Sequence, residues 1–212
     1  MIKQSDIITT ERNLSNLDYN APNSSKIYIS MGKQDNNANE WYTTYNAAQE
    51  LVNYIISHNL ITYSQKIWFP FDCEDSNIYL AFKDAGFINL IFTHLENGEN
   101  FYEIDIECDF IISNPPFSRN KIENKSYGRT DLFNRLFSLN KPFIMLQPIQ
   151  MLNNATIIKH LTRYSNNIGF ICPNNRMGFI IGGVEKPTPA FYSFWFCFKI
   201  GLKNTWNTIT NL

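Results

Sequence analysis

The sequence predicts an α/β fold in which a mostly parallel central sheet carries helices on both faces and finishes in an antiparallel C-terminal edge hairpin. Three observations lead there. Short continuous apolar runs at 67–71, 87–93, 110–113 and 143–146 are rich in β-branched and aromatic residues, as expected of strands buried on both faces. Stretches with apolar residues at three- and four-residue spacing separate these runs, and strands alternating with helices form parallel sheets. The last runs are joined by short turns without a helix, which requires antiparallel pairing.

Each element follows in order. Trp41-Tyr42-Thr43-Thr44 leads into Ala47, Ala48, Leu51, Val52, Ile55 and Ile56, an amphipathic helix with Thr43 or Thr44 as N-cap. Ile67-Trp68-Phe69-Pro70-Phe71 is the first strand and ends at Asp72. Asp75 or Ser76 can cap a second helix carrying Ile78, Leu80, Ala81, Phe82 and Ala85, which Gly86 stops. FINLIFT (87–93) is a second strand, and 101–106 reads as strand or extended loop. Phe110-Ile111-Ile112-Ser113 is a strand broken at once by Asn114-Pro115-Pro116-Phe117. A polar loop at 118–130, a helix through Leu132, Phe133, Leu136, Phe137 and Leu139, and a strand at 143–146 come next. A weaker helix near 155–164, strands near 168–172 and 177–181, a Gly182-Gly183 turn and a final strand at 191–200 complete the chain.

Composition bounds the rest. The 212 residues support one domain, 40–212, preceded by a loosely ordered polar arm at 1–39 that is rich in Asn, Ser and Asp. Eighteen Lys and Arg against nineteen Asp and Glu give a net charge of -1, which excludes a globally basic nucleic-acid binder and leaves room only for a local patch. Cys73, Cys108, Cys172 and Cys197 are scattered, with no CxxC and no His at zinc spacing, so no metal site is predicted and the thiols are expected to be reduced. Met1 to Asp6 is polar, and no apolar run is long enough to cross a bilayer; the reading is a soluble, cytoplasmic protein.

In a sheet of this kind ligands bind at the carboxyl ends of the strands, near the point where strand order reverses. The strongest signal lies at such an end. Pro115 and Pro116 remove two backbone donors and fix φ twice, and Asn114 before them is pushed out of the helical region. The Asn114 side chain and neighbouring carbonyls are thereby held outward as acceptors with no competing amide, beside the aromatic face of Phe117. That suits a planar substrate with an NH2 group.

Asn114-Pro115-Pro116-Phe117 resembles motif IV, the Asn/Asp-Pro-Pro-aromatic element of amino-methyltransferases that use S-adenosylmethionine. The resemblance extends in order over about 40–200. Trp41-Tyr42-Thr43, Trp68 to Asp72 with Ser76-Asn77, Thr93-His94 with Gly98, Asn100-Phe101 and then the diproline element look like the small phage-type adenine-specific DNA methyltransferases, which have a Rossmann-like class I fold. It implies catalytic roles for Asn114, Pro115, Pro116 and Phe117. It implies cofactor contacts for Trp41, Tyr42, Thr43, Phe71, Asp72, Cys73, Glu96, Asn100, Phe101 and Asn114. Two departures stand out: the segment 72–76 contains no glycine, and Asn100 stands where the family has Asp. For Trp41 core packing, and for Asp72 helix capping, remain open beside cofactor binding.

The loop after the motif supplies Arg119, Lys121, Lys125 and Arg129, and Lys186 lies on a second loop; a phosphate backbone is the partner such cations suit. A duplex adenine would have to be flipped out to reach the site. The expected activity is N6 methylation of adenine in DNA, within a short recognition sequence. Methylation of RNA adenine or of protein glutamine, and a degenerate fold relative acting as a nucleic-acid or protein-binding decoy, are the alternatives.

Overall fold

The computed structural model describes residues 41–117, 120–122, 125–186 and 191–209. The polar arm at 1–39 lies outside them. The short strand β1 (Tyr42–Thr43) runs into α1 (Tyr45–Ser57), whose N-cap is Thr44, its hydroxyl accepting from the Ala47 N–H. Then come β2 (Ile67–Phe69), α2 (Asn77–Asp84) capped by Ser76, β3 (Leu90–Phe92) and β4 (Phe110–Ser113). The second half comprises β5 (Asn120–Ile122), β6 (Lys125–Tyr127), α3 (Arg129–Leu139), β7 (Phe143–Pro148), α4 (Ala155–Arg163) and β8 (Ile168–Pro173). β9 (Phe179–Ile181), β10 (Val184–Lys186), β11 (Ser193–Phe198) and β12 (Trp206–Ile209) close the chain.

Seven strands form the central sheet in the order β12-β8-β11-β7-β4-β2-β3, and β11 alone among them runs antiparallel to its neighbours. Strand residues alternate between two cores, as a pleated sheet buried on both sides requires. Ile67, Phe69, Phe110, Ile112, Ile144, Leu146, Trp195 and Cys197 pack with α1 and α2. Trp68, Ile111, Phe143, Met145, Phe194, Phe196 and Phe198 pack on the opposite face with α3 and α4. The mixed sheet with helices on both faces is the predicted fold class.

Four details differ from the sequence reading. β11 inserts between β7 and β8, and a further strand, β12, pairs parallel with β8 outside the predicted hairpin; its Trp206 lies on Phe170 with ring centroids 4.3 Å apart. β9 leaves the main sheet and joins β1 and β10 in a separate three-stranded one. Only three residues long and followed by the Gly182-Gly183 turn, it pairs with β1 on one side and β10 on the other. The polar segment after the diproline contains the β5–β6 hairpin, and α3 begins already at Arg129. Finally, 101–106 holds no strand: 101–103 is a turn in which the Asn100 carbonyl accepts from the Glu103 and Ile104 N–H groups at 2.9 and 3.1 Å, and 104–106 continues as a loop. No described helix is long and apolar enough to cross a membrane.

Candidate active site

Strand order reverses between β2 and β4: the chain leaves β2 for β3 on one side and returns to β4 on the other. A crevice at the carboxyl ends of these two strands is where ligands enter such sheets. Asp72 follows β2 and is 6% exposed, and it accepts a short hydrogen bond from the hydroxyl of Ser113, the last residue of β4. Burial pushes its carboxyl up to about 6, against the hydroxyls of Ser113 and Ser76 and the nearby His94, which pull it down. The acid is thus tied to both strand ends.

Asn114 comes next. Its Nδ2 donates to the Trp41 carbonyl at 2.6 Å. That carbonyl can only accept, so the amide nitrogen must face it, and Oδ1 points the other way. Oδ1 is buried, where the sequence reading expected the side chain to be held outward, because the bond to Trp41 turns the amide inward; it has no partner among the described residues. Pro115 is buried and Pro116 exposed. Phe117 is half-buried against Phe179 and Phe191, with ring centroids 6.2 and 5.8 Å away and planes at 79° and 86°. Trp41 meets the same two rings at 5.7 and 4.8 Å. Four aromatic rings from four places in the chain therefore wall the diproline corner.

β1 is held in place from two sides. Tyr42 and Thr43 pair with Ile180 and Phe179, and the Asn77 side chain at the start of α2 donates to the Thr43 carbonyl at 2.7 Å. The Thr43 hydroxyl oxygen is buried and, like Asn114 Oδ1, has no partner among the described residues. The small sheet thus carries Trp41 and Thr43 to the edge where Asp72 and Asn114 stand.

The remaining predicted contacts divide. Phe71 is half-buried and rests on Phe101 at 4.9 Å, whereas Phe101 is 2% exposed and packed against Trp68 and Tyr102; it supports Phe71 from within the core. Asn100 is buried, and its Oδ1 already accepts from the Tyr102 N–H at 3.1 Å. The Cys73 thiol is pushed up to about 12 by burial, by a hydrogen bond to Asp75 and by the charges of Asp75, Asp72 and Glu96, so it stays protonated. Glu96 itself is solvent-exposed in a 3-10 turn that His94 caps by accepting from the Glu96 N–H.

Of the predicted cations, Arg119 lies outside the described residues, as does the Lys121 side chain. Lys125 pairs with Glu103 at 3.2 Å on the solvent side of the β5–β6 hairpin. Arg129 donates to the Phe117 carbonyl at 3.4 Å and so steadies the motif itself. Lys186 is exposed, and its pairing with Phe179 puts it on the face of the small sheet that carries the aromatic wall. Sequence reasoning missed Phe179, Phe191 and Ser113 as site residues. Ser113 carried a signal, since it directly precedes the diproline motif; the two phenylalanines are distant in the chain, and only the return of β9 to β1 brings them in.

The same architecture occurs among solved structures. One described as a class I S-adenosylmethionine-dependent methyltransferase from Listeria monocytogenes superposes with a TM-score of 0.51 at 10% identity, covering 87% of this chain and 71% of that one. The fold is that of the class I methyltransferases. Two further structures lie at lower similarity. One is described as an RNA methyltransferase from Pyrococcus horikoshii (TM-score 0.43, 10% identity, 81% of this chain and 95% of that one). The other is a type I restriction-modification methyltransferase subunit from Streptococcus thermophilus (0.44, 13%, 79% and 46%). No protein-family model and no curated protein sequence matches the chain.

Proposed function

We propose that this protein transfers a methyl group from S-adenosylmethionine to the N6 amine of adenine in DNA. The observation that carries the reading is Asn114. Its amide nitrogen is fixed by the Trp41 carbonyl, which leaves Oδ1 as a buried acceptor without a described partner at the carboxyl edge of the sheet. A buried acceptor left open costs on the order of 1–3 kcal/mol, and a substrate N–H would recover it.

The residues present fit the cofactor. Two orphaned buried oxygens, on Thr43 and Asn114, and the switch-point acid Asp72 offer acceptors to a ligand rich in N–H and O–H groups. Trp41, Tyr42 and Thr43 with Phe71, Asp72 and Cys73 would hold its amino-acid and ribose parts; Glu96, Asn100 and the Phe71–Phe101 pair would stand near its adenine end. Bound there, S-adenosylmethionine supplies an electrophilic methyl group on a sulfonium.

The protein's part is orientation. Asn114 Oδ1 accepts one hydrogen of the N6 amine, and the absence of N–H groups at Pro115 and Pro116 leaves no donor to compete for it. Phe117 lines one side of the purine, with Phe191 packed edge-on behind it, and the two rings exclude water. The nitrogen gives up its proton after attack, so acceptors suffice and no strong base is needed; rate comes from positioning and electrostatics. A duplex adenine must rotate out of the stack to reach this corner. In this reading 40–212 form the methyltransferase domain. Expression in a cell free of N6-methyladenine, followed by digestion of its DNA and nucleoside mass analysis, should reveal that nucleoside. Unmodified DNA beside methylated RNA adenine or protein glutamine would move the activity to those substrates.

A second reading, a non-catalytic relative that binds nucleic acid or protein, is favoured by the glycine-free 72–76 segment and by the engaged Oδ1 of Asn100. Calorimetry with S-adenosylmethionine separates the two, since the relative would bind none.

A further inference from the structure

Beside the aromatic corner stands an exposed pair that the activity above does not use. Tyr192 directly follows Phe191 of the wall and is 54% exposed. The Arg176 guanidinium lies 4.4 Å from the Tyr192 ring centroid and donates to its hydroxyl at 2.8 Å. The Tyr192 carbonyl accepts from the N–H of Ile149, itself 47% exposed, at the end of β7. Phe191 thus turns into the corner, while its neighbour offers a flat, pre-ordered, amphipathic surface at the same edge.

We propose that Tyr192 and Arg176 form a stacking platform for an unpaired DNA base next to the methylated adenine. The inference rests on the DNA reading above. Stacking on tyrosine and on a guanidinium plane needs no particular base and suits a strand whose pairing has been opened. Because the hydroxyl–guanidinium bond holds both groups in place beforehand, little side-chain freedom is lost when a base arrives. The net charge of -1 adds weight: with weak overall attraction to phosphates, a base-directed contact has to supply much of the affinity. Arg176 also borders a crevice of about 180 Å³ that contains Glu50 and Glu185, so a latch between the 174–178 loop and β11 is the structural role to be separated from recognition.

The experiment compares binding of a thymidine oligonucleotide with that of an abasic oligonucleotide of equal length and charge, by fluorescence anisotropy. Wild type, Tyr192→Phe, Tyr192→Ala and Arg176→Ala are measured together with their melting temperatures. A platform predicts a wild-type preference for the strand with bases, retained in Tyr192→Phe and reduced roughly tenfold in Tyr192→Ala. A latch predicts loss of thermal stability in Tyr192→Phe with base preference unchanged in Tyr192→Ala, which overturns the proposal. Equal binding of both strands by the wild type also overturns it. Methyl transfer is assayed separately: base-preferring binding without transfer refutes the methyltransferase reading and leaves the platform standing, and transfer without base preference does the reverse.

Discussion

At the scale of the residue, Asp72 is a buried carboxyl tied to the ends of two strands. Its carboxyl is raised from an ordinary 3.8 to about 6, chiefly by desolvation, so the folded state holds a proton that the unfolded chain has released between those values. Stability therefore falls as pH rises from about 4 to about 6 and then levels off, by up to about 3 kcal/mol for a shift of this size. Asp72→Asn should remove this part of the profile. The check is denaturant unfolding of both proteins from pH 4 to 8: their difference should change in that window and be flat above 7. Asn114 is the neutral counterpart, a buried acceptor left open that the proposed substrate would fill.

At the scale of the element, the site depends on a two-residue strand. β1 is too short to hold itself, and its place is set by β9, by the Trp41–Asn114 bond and by Asn77. Asn77→Ala leaves the buried Thr43 carbonyl without its donor, which should cost about 1–3 kcal/mol. Released from α2, β1 should also weaken cofactor binding more than it slows chemistry. Calorimetry with S-adenosylmethionine and a KM-against-kcat comparison test this; an unchanged cofactor KM would show that β1 is held without Asn77. Such tertiary dependence also marks where sequence reading fell short. The strands β2, β4 and β7 were legible because each is a short apolar run buried on both faces, whereas the polar β5–β6 hairpin gave no such signal, and Thr44 and Ser76 were among the caps expected. β9 and β12 follow no such rule, because their partners are set by the returning chain. Asn114 and Asp72 were readable from their places after strands, whereas Phe179 and Phe191 gain meaning only once the small sheet folds over the corner. Phe101, a cofactor contact by resemblance, is buried behind Phe71 and would act through it.

At the scale of the whole molecule, charge sets the terms on which the proposed DNA substrate would bind. Among the described cations expected at the interface, Lys125 is paired with Glu103 and Arg129 serves the Phe117 carbonyl, leaving Lys186 as the exposed cation on the face of the aromatic wall. The described part of this face therefore offers few phosphate contacts. The logarithm of the DNA affinity should fall with the logarithm of salt with a slope no steeper than about -4, each phosphate contact contributing about -0.9. A titration series from 50 to 300 mM salt reads this slope directly, and a value near -8 would mean that an extensive basic surface takes part.

The assignment as a whole turns on one oxygen atom. Steady-state methyl transfer to adenine-containing DNA by Asn114→Ala, with S-adenosylmethionine binding measured on the same protein, tests it most directly. Loss of this acceptor should lower kcat by roughly a hundredfold or more while cofactor affinity changes little. A variant that methylates adenine at the wild-type rate would contradict the account.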